Sequence, residues 1–183
     1  MINPPVKAKR LLLFCFLTGL LIFYIQHYRN AGLSSHSTTS IFGYDVPNYK
    51  AVRAEALGTE LTEKGAGDYE PLDEIQELLL NSPVVIFSKS YCPHSRFVKN
   101  LLKDTYKMNP PPTVKELDLD PHGSIIQDAL LDISGRRTVP NVFVGGKSLG
   151  GGDEMRMLHG KGVLATEFKK KGGRKFSIEK GRD

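Results

Sequence analysis

Between Pro71 and Phe168 the apolar residues change their spacing repeatedly, and this alternation restricts the segment to an α/β domain. Leu72, Ile75, Leu78 and Leu79 recur at helical spacing behind Pro71, a residue suited to a first helical turn, and Asn81-Ser82-Pro83 stops the run. Val84 to Phe87 is short, apolar and rich in β-branched and aromatic side chains, as a strand covered on both faces would be. Phe97, Val98, Leu101 and Leu102 mark a second helix, and Val114 to Leu119 a weaker strand. Ile125, Ile126, Ala129, Leu130 and Ile133 give a third helix, ended by Gly135. Val142 to Val144, a turn at Gly145-Gly146, and Lys147 to Leu149 read as a β-hairpin, and Leu158, Leu164 and Phe168 belong to closing helices. The predicted domain spans residues 71–171 and contains no internal repeat.

What flanks this domain is different in kind. Lys7, Lys9 and Arg10 precede an uncharged stretch from Leu11 to Ile25 in which only Thr18 and Gly19 are not hydrophobic. Fifteen helical residues span about 22 Å, short of a hydrocarbon core of about 30 Å. Extension to Tyr28, with Tyr24 and Tyr28 at an interface and Lys9 and Arg10 snorkelling, reaches about 27 Å, enough for a thin bilayer. A cleaved signal peptide has the same basic and apolar regions. Its cleavage pattern is weak here, because cutting after Ala31 places Arg29 where a small residue is needed. The expectation is therefore an uncleaved signal anchor over residues 11–28, with residues 1–10 cytosolic and everything beyond in the lumen by the positive-inside rule. Residues 29–70, rich in Ser, Thr and Gly, read as a flexible luminal stalk, with a short helix conceivable near Ala51 to Leu57. No permitted Asn-x-Ser/Thr acceptor occurs, so glycosylation signals lend luminal placement no support.

The charge is equally uneven. The chain carries 25 Lys and Arg against 20 Asp and Glu, a net +5, and the stretch from Lys169 to Asp183 alone holds seven basic against two acidic residues. The other residues balance, so residues 172–183 read as a solvated basic tail and a nucleic-acid partner is not expected.

Only Cys15 and Cys92 are present, which excludes a disulfide framework and a zinc site built on several thiolates. Cys15, inside the apolar segment, reads as a small hydrophobe. Cys92 follows the first predicted strand and opens a helix, with Pro93 where a missing N–H costs nothing. Unpaired N–H groups and the helix dipole at that point favour a thiolate, and Lys89 and Arg96 add positive charge. Cys92 is thus a candidate nucleophile. The competing reading, a buried inert cysteine, fits poorly with the turn-like residues on either side of it.

Three segments together resemble the glutaredoxin family: Lys89-Ser90-Tyr91-Cys92-Pro93-His94-Ser95, Arg137-Thr138-Val139-Pro140-Asn141-Val142-Phe143, and Gly150-Gly151-Gly152-Asp153. The lone cysteine of the first segment and the N-terminal apolar anchor look most like the membrane-anchored monothiol glutaredoxins of the fungal early secretory pathway. The resemblance implies a thioredoxin-like fold, a central mixed β-sheet flanked by helices. It implies a cis Pro140 that turns the Val139 backbone toward glutathione, although an ordinary trans turn proline is the alternative from the residues alone. It implies that the Gly152 and Asp153 N–H groups receive the γ-glutamyl carboxylate, with Gly151 letting the chain come close. Lys89, Gln127 and Arg137 match positions around the glycine carboxylate, though Gln127 could equally sit on a solvated helix face. Tyr91, Pro93, His94 and Thr138 complete the implied glutathione site, and His94 departs from the tyrosine common at its position.

The implied activity is glutathione-dependent thiol-disulfide exchange through Cys92, with glutathione as co-substrate and glutathionylated proteins as substrates. Ser95 stands where a resolving cysteine would be, so the expected mechanism is monothiol, suited to an oxidising compartment because no internal disulfide can form. The expected location is a single-pass type II protein of the endoplasmic reticulum or Golgi membrane with its catalytic domain luminal. The alternative function is [2Fe-2S] binding, with Cys92 as cluster ligand in a glutathione-containing dimer; a monomer is expected otherwise. Pro93 argues against the cluster, since the dedicated cluster-binding branch resembles Cys-Gly-Phe-Ser.

Overall fold

The computed structural model describes residues 38–57 and 69–181. In chain order the elements are β1 (Thr38–Thr39), β2 (Asp45–Val46), α1 (Tyr49–Leu57), α2 (Pro71–Asn81), β3 (Val84–Ser88), α3 (Pro93–Thr105), β4 (Tyr106–Asn109), β5 (Thr113–Glu116), α4 (Gly123–Ser134), β6 (Asn141–Val144), β7 (Lys147–Gly150), α5 (Gly152–Gly160), α6 (Leu164–Lys171) and β8 (Ser177–Lys180). The segment proposed to cross a membrane, residues 11–28, lies outside the described residues, and among those described no helix is long and apolar enough to cross one.

The central sheet has the order β5-β3-β6-β7, with β5 parallel to β3 and the other pairs antiparallel. Every residue of β3 is buried, as its apolar run predicts, and pleating divides its side chains between two layers. Val85 and Phe87 face α1, α2 and α4, where Phe87 meets Phe143 edge-on at 5.5 Å. Val84 and Ile86 face α3, α5, α6 and β8. The β6–β7 hairpin turns through Gly145 and Gly146 at φ of 57° and 75°, the backbone sign that a two-residue hairpin turn requires. Gly135 closes α4 in the left-handed conformation, its N–H donating to the Leu131 carbonyl.

The domain is larger than residues 71–171. Of the stretch expected to be a stalk, Tyr44, Val46 and Tyr49 are buried in the core layer with α2 and α4. The Tyr44 hydroxyl shares its proton between the carbonyls of Leu79 (2.8 Å) and Ser82 (2.7 Å), and the Tyr49 hydroxyl donates to that of Gly146 (2.5 Å). Burial pushes the Tyr44 phenol up to about 12. Three isolated anchors, Tyr44 before β2, Val46 on it and Tyr49 at the start of α1, leave no periodic signature, so the segment reads as linker. The basic tail is corrected in the same way: β8 pairs antiparallel with β4, and Phe176 and Ile178 are buried against α3 and α6. Within β8 only Ile178 turns inward, and Ser177, Glu179 and Lys180 are exposed. The weak strand is shorter than expected, with Leu119 beyond its end and 74% exposed.

Strand direction determines what meets at the reactive end. Phe87 lies opposite Asn141, so the exit of β3 and the entry of β6 share one end of the sheet. Val142 lies opposite Gly150, which brings the exit of β7 there too. Since β5 runs parallel to β3, Leu117 and Asp118 emerge beside them. Three loops far apart in sequence, those of Cys92, Pro140 and Gly151, thereby converge.

Candidate active site

Cys92 is the N-cap of α3, with φ −75° and ψ 121°, outside helical values, and Pro93 follows in the first turn. Its N–H donates to the Lys89 carbonyl at 3.1 Å, closing a turn that presents the half-buried sulfur at the helix start. The thiol ionises below its ordinary value. Burial is the largest single influence and opposes ionisation, but the Ser95 N–H, the Ser95 hydroxyl, the His94 N–H and the Arg96 charge together outweigh it. Those N–H groups close no ordinary cap bond on the neutral thiol, so their effect is to favour the charged one. Ser95 is fully buried, and its Oγ accepts a long hydrogen bond from the Lys89 N–H at 3.4 Å.

The other two segments close around the sulfur. The Cys92 Sγ lies 3.7 Å from the Val139 carbonyl oxygen. The Val139–Pro140 peptide is cis, as the resemblance implied. A Cβ on Gly151 would stand 2.8 Å from the Pro140 carbonyl oxygen, so only glycine admits this approach, and a Cβ on Gly152 would stand 3.4 Å from the His94 ring. Each segment thus touches the other two. Gly152 begins α5, whose first N–H groups are available to an anion, and the exposed Asp153 carboxylate is paired with Arg156 at 2.9 Å.

The remaining expected residues fall into two groups. Gln127 and Arg137 come together, since Gln127 Nε2 donates to the Arg137 carbonyl at 2.7 Å and the Arg137 guanidinium pairs with Asp128 at 2.6 Å. No hydrogen bond joins Lys89 to either; its charge acts on Asp118. Tyr91 is 66% exposed at the rim, with Pro93, His94 and Thr138 also exposed. The cysteine–proline–glycine junction is therefore explicit, while the expected carboxylate-binding residues are only partly assembled.

The chain matches the glutaredoxin family profile over residues 84–149. It is 31% identical to monothiol glutaredoxin-7 of Saccharomyces cerevisiae over 188 aligned positions, covering 94% of this chain and 93% of that protein. This chain belongs to the glutaredoxin family. Glutaredoxin-C4 of Oryza sativa subsp. japonica is 45% identical over 96 residues, covering 51% of this chain and 68% of the relative. The fold resembles that of a buckwheat glutaredoxin–glutathione complex at a TM-score of 0.50, with 38% identity over 56% of this chain and 91% of that one. Oxidised glutaredoxin 2 of Chlamydomonas reinhardtii superposes at 0.51, with 38% identity over 57% of this chain and 95% of that one. The architecture is accordingly the thioredoxin-like glutaredoxin fold, and glutaredoxins are glutathione-dependent thiol oxidoreductases.

Two supports of this glutaredoxin site escaped the sequence reading. Glu154 accepts from the Gly151 N–H at 2.7 Å and pairs with Arg136 at 2.6 Å, tying the glycine segment to the loop before Pro140. The Gly151 N–H, then partial burial in the opposite sense, and Arg136 together hold the Glu154 carboxyl below its usual range. An acid three residues after a helix cap is the signal that could have found it. Asp118 accepts from the Ser90 N–H at 2.8 Å and from the Ser90 hydroxyl, and these bonds hold its carboxyl low. No local pattern announces Asp118, because only the parallel pairing of β5 with β3 brings it to Ser90.

Proposed function

We propose that this glutaredoxin reduces glutathione mixed disulfides by a monothiol mechanism, and the approach of the Cys92 sulfur to the Val139 carbonyl beside cis-Pro140 carries the reading. Glutathione lies along the Thr138-Val139 backbone, its γ-glutamyl carboxylate at the Gly152 and Asp153 N–H groups and its glycine carboxylate toward Lys89, Gln127 and Arg137. The Cys92 thiolate attacks the glutathione sulfur of a mixed disulfide. The S–S electron pair leaves with the substrate sulfur, which takes up a proton, and glutathione stays on Cys92. A second glutathione thiolate attacks that glutathione sulfur, the pair returns to Cys92, and oxidised glutathione departs. Cys92 is the sole cysteine among the described residues and Ser95 cannot resolve a mixed disulfide, so glutathionylated thiols are preferred over intramolecular protein disulfides.

The same proposal places the enzyme as a single-pass type II protein of the endoplasmic reticulum or Golgi membrane, supported by the composition of residues 7–28. The alternative, a [2Fe-2S] cluster, would take one Cys92 thiolate from each of two protomers and two glutathione thiolates, since Cys92 is the one thiol a protomer offers among the described residues. A glutathione-coupled assay on a small glutathione mixed disulfide tests the central claim. Wild type turns over and Cys92→Ser falls by about a thousandfold or more; equal rates would refute it.

A further inference from the structure

A hollow among the described residues lies away from the thiol. It has a volume of about 740 Å³ and sits against the second half of α3, beneath the β4–β5 connection. Its floor is apolar, formed by Ile86 from β3, Leu102 from α3, Met108 from β4 and Val114 from β5. Val114, on the edge strand β5, is 42% exposed there. The volume lies within the range of small-molecule sites, and the lining has their usual character, mostly apolar with a few polar groups.

Those polar groups have one sign. Lys99, Lys103 and Lys107 all line the hollow, and no carboxylate does. Lys99 is engaged by Glu116 at 2.5 Å. Lys103 and Lys107 are exposed and make no ion pair among the described residues, although the β4–β8 register sets Glu179 opposite Lys107. Lysine offers point charges on flexible stems, suited to a single compact anionic head, whereas a planar bidentate group would call for arginine. The Met108 thioether adapts to a flexible chain.

We propose that this groove binds an alkyl carboxylate, its hydrocarbon chain on the Ile86, Leu102, Met108 and Val114 floor and its carboxylate between Lys103 and Lys107. The site is separate from the glutathione site, because its α3 residues lie about two turns or more from Cys92.

Methyl-¹³C methionine NMR on the full chain tests this with site resolution. Met108 reports the groove, and Met155 and Met157 on α5 serve as references. Dodecanoate below its micelle concentration is expected to shift Met108 saturably and leave Met155 and Met157 in place. Dodecanol should bind about tenfold more weakly at the same resonance. The double variant K103Q/K107Q should weaken dodecanoate at least fivefold, leave dodecanol unchanged and leave glutathione-dependent turnover at the wild-type rate. A Met108 signal that does not move with dodecanoate, or moves equally with the alcohol, overturns the proposal. So does one that moves with protein concentration alone, since a second copy would then cover the groove.

Discussion

At the scale of single residues the chemistry depends on how few groups act on one sulfur. Buried Ser95 contributes both its N–H and its hydroxyl to the Cys92 thiolate, against the burial that opposes ionisation. Ser95→Ala is therefore expected to raise the thiol pKa, read as an upward shift in the midpoint of iodoacetamide alkylation against pH, with slower turnover at neutral pH. The depressed pKa also has a stability consequence of definite sign. Between the folded and the higher unfolded pKa the unfolded chain binds more protons, so stability relative to Cys92→Ser grows as pH rises through that window and is lost as pH falls through the folded pKa. Urea denaturation of both proteins across the window checks it, and the effect is small because the group is partly solvated. Glu154 supports the reaction less directly. Glu154→Ala frees the Gly151 N–H and Arg136, and an ion pair this exposed carries about 1 kcal/mol. The expected outcome is a KM for glutathione raised about fivefold with kcat nearly unchanged, because the cradle is displaced and the thiol is not.

At the scale of elements, legibility followed periodicity. The α2–β3 and α4 patterns, the hairpin at Gly145-Gly146 and the cysteine at a helix start could all be read because each signal is local. β4 could not, since Tyr106 to Asn109 continues directly from α3 and becomes a strand only through its pairing with β8. The same non-local pairing hid β8, whose single inward residue, Ile178, is outnumbered by charge. Asp118 and the Arg136–Glu154 pair were hidden for a related reason: their partners come from other strands and loops. If β8 belongs to the core rather than to a tail, truncating its buried Ile178 or the adjoining Phe176 must cost what a core residue costs. Ile178→Ala and Phe176→Ala should each destabilise by about 2–5 kcal/mol, seen as a lower urea midpoint, whereas Lys180→Ala at the exposed ladder edge should stay within about 0.5 kcal/mol. A loss below about 1 kcal/mol at both buried positions would return the segment to the status of an appendage.

At the scale of the whole molecule, the burial of Tyr44, Val46 and Tyr49 changes what the proposed membrane anchor would carry. The folded region includes residues 38–57, so the stretch joining it to residues 11–28 is residues 29–37 and not the whole of residues 29–70. The described residues 38–57 and 69–181 then serve the catalytic domain, and the basic excess lies partly in α6, while Glu179 and Lys180 leave β8 neutral. The proposed anchor and its proposed orientation rest on two separate properties, apolar length and the flank of Lys7, Lys9 and Arg10, and they can be tested separately. The full chain expressed in a eukaryotic cell should stay in the membrane pellet after alkaline carbonate extraction, and a chain starting at residue 30 should not. In sealed microsomes, protease should remove an epitope placed before Met1 and spare one placed after Asp183. A soluble full chain would end the anchor reading, and release of a mature form lacking residues 1–28 would make the segment a signal peptide. Protection of the N-terminal epitope instead would keep the anchor and invert it, placing Cys92 in the cytosol.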